Sequence, residues 1–180
     1  MSVKTPTVLA RKIDMLLMDV DGVLTDGRIF WIPFPDGTMT EAKAFDVTDG
    51  AGIAVARRSG IRTGLISRRN SPAVAKRAEE LKIDFIFQGV RDKRAVLEEL
   101  LGRTRLSSDQ ICFIGDDIVD LPLLVRVGFP VAVANACSEV REHAAYITRA
   151  PGGAGAVREV IELIMRAQGK WDPLIAEFLQ

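Results

Sequence analysis

The stretch Leu16-Leu17-Met18-Asp19-Val20-Asp21-Gly22-Val23-Leu24-Thr25-Asp26-Gly27 constrains this chain more than any other, because an apolar run reading as a buried strand ends in two carboxylates. Charge beside a buried strand end is costly unless a cation, hydrogen bonds or a reaction intermediate compensates it. Asp19 and Asp21 stand two residues apart, so in extended backbone their side chains project to one side and converge. Gly22 then lets the chain turn. Taken alone, the same residues also describe a strand followed by an Asp-Gly turn.

Further apolar runs lie at Thr63 to Ile66, Phe85 to Phe87, Ile111 to Ile114 and Phe129 to Val133, after the first at Met15 to Val20. Pro130 suits the first residues of a strand better than its middle. Helical spacing of apolar residues marks Ala51 to Ser59, Ser71 to Leu81, Asp92 to Leu101, Ile118 to Val127 and Gly155 to Gln168. Alternation of helices with strands too apolar to face water predicts an α/β fold, a doubly wound parallel sheet with helices on both faces. Two segments depart from it. Arg28 to Ile32 and Thr38 to Phe45, joined through Pro33-Phe34-Pro35-Asp36-Gly37, read as a projecting β-hairpin able to flap over a site. The tail from about residue 169 carries Trp171, Leu174, Ile175, Phe178 and Leu179 and is expected to dock on its own subunit or a neighbour.

A length of 180 residues with 48% hydrophobic composition fits one domain spanning 1–180. The 24 basic and 24 acidic residues balance, which gives no overall field to recruit nucleic acid or an anionic membrane but leaves small anionic ligands open. Cys112 and Cys137 form neither a metal-ligand spacing nor a disulfide framework. With no signal-peptide pattern and no membrane-span run, the expected location is the cytoplasm.

Ligands of open parallel sheets bind beyond the carboxyl ends of the strands. Asp19 and Asp21 follow the first strand, Ser67 the second, Lys93 comes after the third and opens a helix, and Gly115-Asp116-Asp117 follows the fourth. Asp19 and Asp116, with the backbone oxygen of Asp21, suit Mg²⁺, which prefers hard oxygen ligands; His143 is the sole histidine, which argues against a His-based zinc site. His143 itself reads as a surface or helix-end residue. Such a metal reduces repulsion between a carboxylate nucleophile and a phosphoryl group. Ser67 supplies a donor to a phosphoryl oxygen, and Lys93 balances its charge. A cation in the first turn of a helix is opposed by the helix dipole by roughly 0.3–1 kcal/mol, so Lys93 is expected to have a compensating partner. Asp117 and Asp120 are weaker candidates, since either can cap the following helix.

In this order, the D-x-D of Asp19-Val20-Asp21, Ser67, Lys93 and the G-D-D-x-x-D of Gly115 to Asp120 resemble the haloacid dehalogenase superfamily of phosphohydrolases over nearly the whole chain. The closer resemblance is to the 3-deoxy-D-manno-octulosonate 8-phosphate phosphatases. It rests on Asp21 to Gly27, on Lys43-Ala44-Phe45 leading to Asp49-Gly50-Ala51-Gly52-Ile53, and on Gly152-Gly153-Ala154-Gly155-Ala156-Val157-Arg158-Glu159. The resemblance implies a Rossmann-like fold without a cap domain and a homotetramer in which hairpins and a neighbour's tail help enclose the site. It also implies a place in lipopolysaccharide biosynthesis. Asp19 is the implied nucleophile and Asp21 the general acid and base. Asp46, Asp49, Gly50, Arg69, Arg77 and Asp117 are implied to meet a phosphorylated sugar acid. The chain departs from the family's T-G-R with Ser67-Arg68-Arg69, and has Thr48 and Ala54 where arginines are common. A nine-carbon sugar acid phosphate therefore stays open as substrate. So do a phosphoacceptor receiver, although receivers carry their aspartate after a middle strand, and a non-catalytic module of the same fold.

Overall fold

The computed structural model describes residues 5–180. Its elements run α1 (Pro6–Ala10), β1 (Met15–Met18), β2 (Phe30–Pro33), β3 (Met39–Ala42), α2 (Val47–Arg58), β4 (Arg62–Ile66), α3 (Pro72–Leu81), β5 (Phe85–Phe87) and α4 (Lys93–Thr104). They continue as β6 (Ile111–Gly115), α5 (Leu121–Leu124), β7 (Phe129–Ala132), α6 (Ser138–His143), β8 (Tyr146–Ile147), α7 (Ala156–Ala167) and α8 (Trp171–Phe178). Six strands form one sheet in the order β5-β4-β1-β6-β7-β8, every neighbouring pair parallel. From β1 the chain winds outward through β4 and β5, then crosses back to β6 on the other side of β1. Right-handed crossovers therefore put α2 and α3 on one face, with α7 against α2, and α4, α5 and α6 on the other. The reversal between β1 and β6 is the topological switch point of the sheet, where the loops part and leave a crevice.

All four residues of β1 are buried, as are all five of β6. This central position explains their near-continuous hydrophobicity and fixes the sheet that carries the site. Between β1 and β4 lie only the β2–β3 hairpin and α2, so no cap domain intervenes there. The hairpin pairs Phe30 with Ala42 and Pro33 with Met39, apart from the main sheet. Phe30, Trp31, Ile32, Phe34 and Met39 are all exposed on it.

Helix α2 begins four residues before the predicted start, at Val47. Asp46 caps it through Thr48 N (2.6 Å) and Asp49 N (3.4 Å), while Gly50 and Gly52 dilute the helical pattern. The helix predicted over Ile118 to Val127 is instead one 3₁₀ turn, Ile118–Asp120, followed by the short α5. Asp120 turns inward there to accept from Asp116 N at 2.9 Å, which holds the backbone in the tighter turn. The tail forms α8 and buries Trp171 and Leu174 on its own chain, whereas Phe178 and Leu179 stay exposed. His143 ends α6, exposed, with Nδ1 2.8 Å from Glu139 O.

The loop Gly152–Gly155 packs beneath the turn that follows β1. Gly153 N donates to Val23 O at 2.9 Å, and a Cβ on Gly152 would stand 1.7 Å from Gly22 O. Gly152→Ala is therefore expected to lose at least about 2 kcal/mol of stability. Gly102→Ala, at an exposed position of α4 with open space around it, is expected to gain up to about 1 kcal/mol. Urea unfolding of the two variants checks the contrast.

Candidate active site

Asp19 extends the pairing of β1 by donating its N–H to Ile114 O at 3.0 Å, so its carboxyl emerges where β1 and β6 end side by side. The chain then folds sharply: the N–H groups of Val23, Leu24 and Thr25 all point to Val20 O, and the buried Thr25 hydroxyl donates to the same oxygen. Gly22 sits in this turn at φ +92°, and a Cβ there would lie 2.1 Å from Asp116 Oδ2. Only glycine lets the two loops approach so closely.

Lys93, the first residue of α4, is 3% exposed. Its Nζ donates to Asp19 Oδ1 at 2.8 Å and to Asp120 Oδ1 at 2.6 Å. These carboxylates are the compensation that a cation in a first helical turn requires. Burial disfavours the ammonium, but Asp19 and Asp120 outweigh it and raise the Lys93 pKa. Ser67, buried at the end of β4, accepts from Arg69 N at 3.1 Å, which leaves its hydroxyl proton to donate elsewhere. Asp19, Asp21, Ser67, Arg68, Arg69, Lys93, Asp116, Asp117 and Val119 line one cavity of about 300 Å³.

Carboxylate oxygens of Asp19, Asp116 and Asp120 lie within 4.8 Å of one another. Asp120 is already engaged through both oxygens, one by Lys93 and the other by Asp116 N. Asp116 Oδ1 is buried and has no hydrogen-bond partner among the described residues. Burial first, then the charges of Asp19, Asp120 and Asp117, push the Asp116 pKa to about 8 against the opposing effect of Lys93. Burial, followed by Asp120, raises Asp19 to about 6. Crowded acids with an orphaned oxygen fit a hard divalent cation, which Asp19 and Asp116 would hold, while Asp120 accepts from Lys93 and from the Asp116 backbone.

Residues 65–161 match the family model for haloacid dehalogenase-like hydrolases. The chain is 40% identical over 163 residues to the 3-deoxy-D-manno-octulosonate 8-phosphate phosphatase of Escherichia coli K12, covering 91% of this chain and 85% of that protein. The chain belongs to this phosphatase family. Another member, from Moraxella catarrhalis, has a crystal structure in complex with magnesium ion, phosphate ion and a KDO molecule. It is 42% identical, with a TM-score of 0.90 over 96% of this chain and 97% of that one. The cobalt-bound family member from Haemophilus influenzae gives 33% identity and a TM-score of 0.87 over 96% and 99%. Membership in a phosphatase family sets aside the receiver and the non-catalytic module.

Of the residues singled out in this phosphatase from sequence, Asp19, Asp21, Ser67, Arg69, Lys93, Asp116 and Asp117 share the cavity. Asp46, Asp49, Gly50 and Arg77 do not line it. Asp46 caps α2. Asp49 is buried and accepts from Arg158 N at 2.7 Å and Gly155 N at 3.4 Å, tying the start of α7 to α2; burial raises its pKa to about 6. Arg77 lies 5.9 Å over the Phe45 ring, and a Cβ on Gly50 would stand 2.4 Å from its Nη2. Two side chains near the cavity carry no role in the sequence reading: Lys43, which enters there only within the Lys43-Ala44-Phe45 motif, and Glu41. Lys43 contacts Asp21 Oδ1, and Glu41 Oε2 accepts from Arg69 Nη2 at 2.7 Å.

The folded-state pKa values of Asp19 and Asp116 stand above the unfolded value of about 3.9, so between about pH 4 and pH 8 the cation-free native state holds more protons than the unfolded chain. Stability without a divalent cation is therefore expected to fall as pH rises through that window. Excess MgCl₂ should raise the melting temperature more at about pH 8 than at about pH 5, where protons compete for the same oxygens. Thermal melts with and without the metal check this.

Proposed function

We propose that this phosphatase hydrolyses 3-deoxy-D-manno-octulosonate 8-phosphate with Mg²⁺ through an aspartyl-phosphate on Asp19. The observation carrying the reading is the Asp19–Lys93–Asp120 arrangement beside Asp116 at the switch point of the sheet. Asp19 attacks phosphorus, forming an Oδ–P bond as the bond to the sugar oxygen breaks. Asp21, two residues on, gives its proton to the departing oxygen, and later takes one from the water that cleaves the aspartyl-phosphate. Inorganic phosphate leaves and Asp19 is regenerated. Ser67 and Lys93 bind phosphoryl oxygens, and Arg69 and Asp117 face the sugar acid. Asp19, Asp116 and the Asp21 carbonyl would hold Mg²⁺, which would supply positive charge beside the transferring group.

The substrate for which the relatives are named, the intact set of acids and the cationic side chains of Arg68, Arg69 and Lys93 in the cavity support the sugar acid phosphate. Phosphate release from a panel of octulosonate 8-phosphate, a nine-carbon sugar acid phosphate and a neutral hexose phosphate tests it. The eight-carbon compound is expected to give a kcat/KM at least about tenfold above either alternative, and equal values would contradict the assignment.

We also propose a homotetramer in the cytoplasm. A two-stranded ribbon is marginal alone, and this one exposes Phe30, Trp31, Ile32, Phe34 and Met39, a surface suited to a second copy. Among the described residues no helix is long and apolar enough to cross a membrane. Trp31→Glu is expected to shift the sedimentation coefficient to that of a smaller assembly while leaving the far-UV circular dichroism unchanged.

A further inference from the structure

Lys43 stands just past the end of β3, yet its side chain is wholly buried. An ammonium taken out of water costs several kcal/mol unless it is paired. Its Nζ meets Asp21 Oδ1, and Glu41 Oε1 lies 3.6 Å away. That Glu41 oxygen is itself buried and accepts no hydrogen bond from the described residues, while Oε2 accepts from Arg69. Asp21, Lys43, Glu41 and Arg69 thus form a line of alternating charges from the D-x-D loop to the cavity wall. Both middle members come from the hairpin rather than the sheet.

Asp19 is gripped by Lys93 from the sheet side. Asp21 has no such grip: among the described residues its carboxylate has one hydrogen-bond partner, Lys43. A group that transfers a proton must be held within hydrogen-bond reach of that proton. We propose that Lys43 is a positioning residue for both proton transfers, holding the Asp21 carboxyl at the leaving oxygen and then at the attacking water, with Glu41 fixing Lys43. The hairpin then belongs to the catalytic apparatus as well as to the subunit surface. The proposal rests on the reading of Asp21 given above.

Leaving groups separate this role from a structural one. A sugar alkoxide needs a proton to depart, whereas p-nitrophenolate does not; both routes need Asp21 to activate water. Lys43→Met is expected to lower turnover of octulosonate 8-phosphate by about 10²-fold or more. With p-nitrophenyl phosphate, rapid mixing should show a burst of one p-nitrophenolate per active site at close to the wild-type rate, followed by slow release. In the burst the Asp19 Oδ–P bond forms and the aryl P–O bond breaks; the slow phase is water attack. Lys43→Arg, which keeps the cation, should recover part of the loss. Disappearance of the burst together with turnover would mean the variant has lost the site as a whole and would overturn the proposal, as would wild-type turnover in Lys43→Met. A wild-type protein that hydrolyses neither substrate would instead reject the phosphatase reading on which it rests.

Discussion

The crowding of Asp19, Asp116 and Asp120 at the ends of two adjacent buried strands is the constraint on which the rest of the structure depends. In a weakly screened site such charges repel strongly, and one ammonium, Lys93, does not neutralise them. Burial first, and then the charges of Asp19, Asp120 and Asp117, drive the Asp116 pKa to about 8, and among the described residues its Oδ1 has no donor. The fold therefore stores an excess of negative charge at one point, which a divalent cation would relieve while leaving the site able to receive an anionic phosphoryl group.

Bringing the acids together needs backbone contacts that side chains would block. Gly22 gives room to Asp116, and Gly152 gives room to the Gly22 carbonyl below it. Asp49 then anchors the same glycine loop to α2 by accepting from Arg158 and Gly155 at the start of α7. The glycine-rich segment after β8 is thus a support for the D-x-D turn, two layers away from the chemistry.

Much of this was legible in the sequence because topology does the assembling. Once five apolar runs are read as parallel strands, the polar residues that follow them must meet at one edge, so Asp19, Ser67, Lys93 and Asp116 are found without knowing any distance. What escaped has physical reasons. α1, α6 and β8 are too short to carry a periodicity, at five, six and two residues. Asp120 reads as a helix cap because it lies in the first turn of the helix expected from Ile118, and only the 3₁₀ turn aims it at Lys93. Lys43 belongs to a motif of the resemblance, but its contact with Asp21, like that of Glu41 with Arg69, follows from the hairpin's fold back onto the site, a tertiary event. The resemblance implies that Asp46 and Asp49 meet substrate; within one chain Asp46 accepts from the start of α2 and Asp49 from the start of α7.

The central claim is that Asp19 carries the phosphoryl group. Quenching a turning-over reaction and reducing it with tritiated borohydride converts an acyl phosphate, and no ordinary carboxylate, into a labelled alcohol. The account predicts tritium in homoserine at position 19 of the digested wild-type protein, and none in Asp19→Asn. Label at another aspartate, or rapid turnover with no label at all, would contradict it.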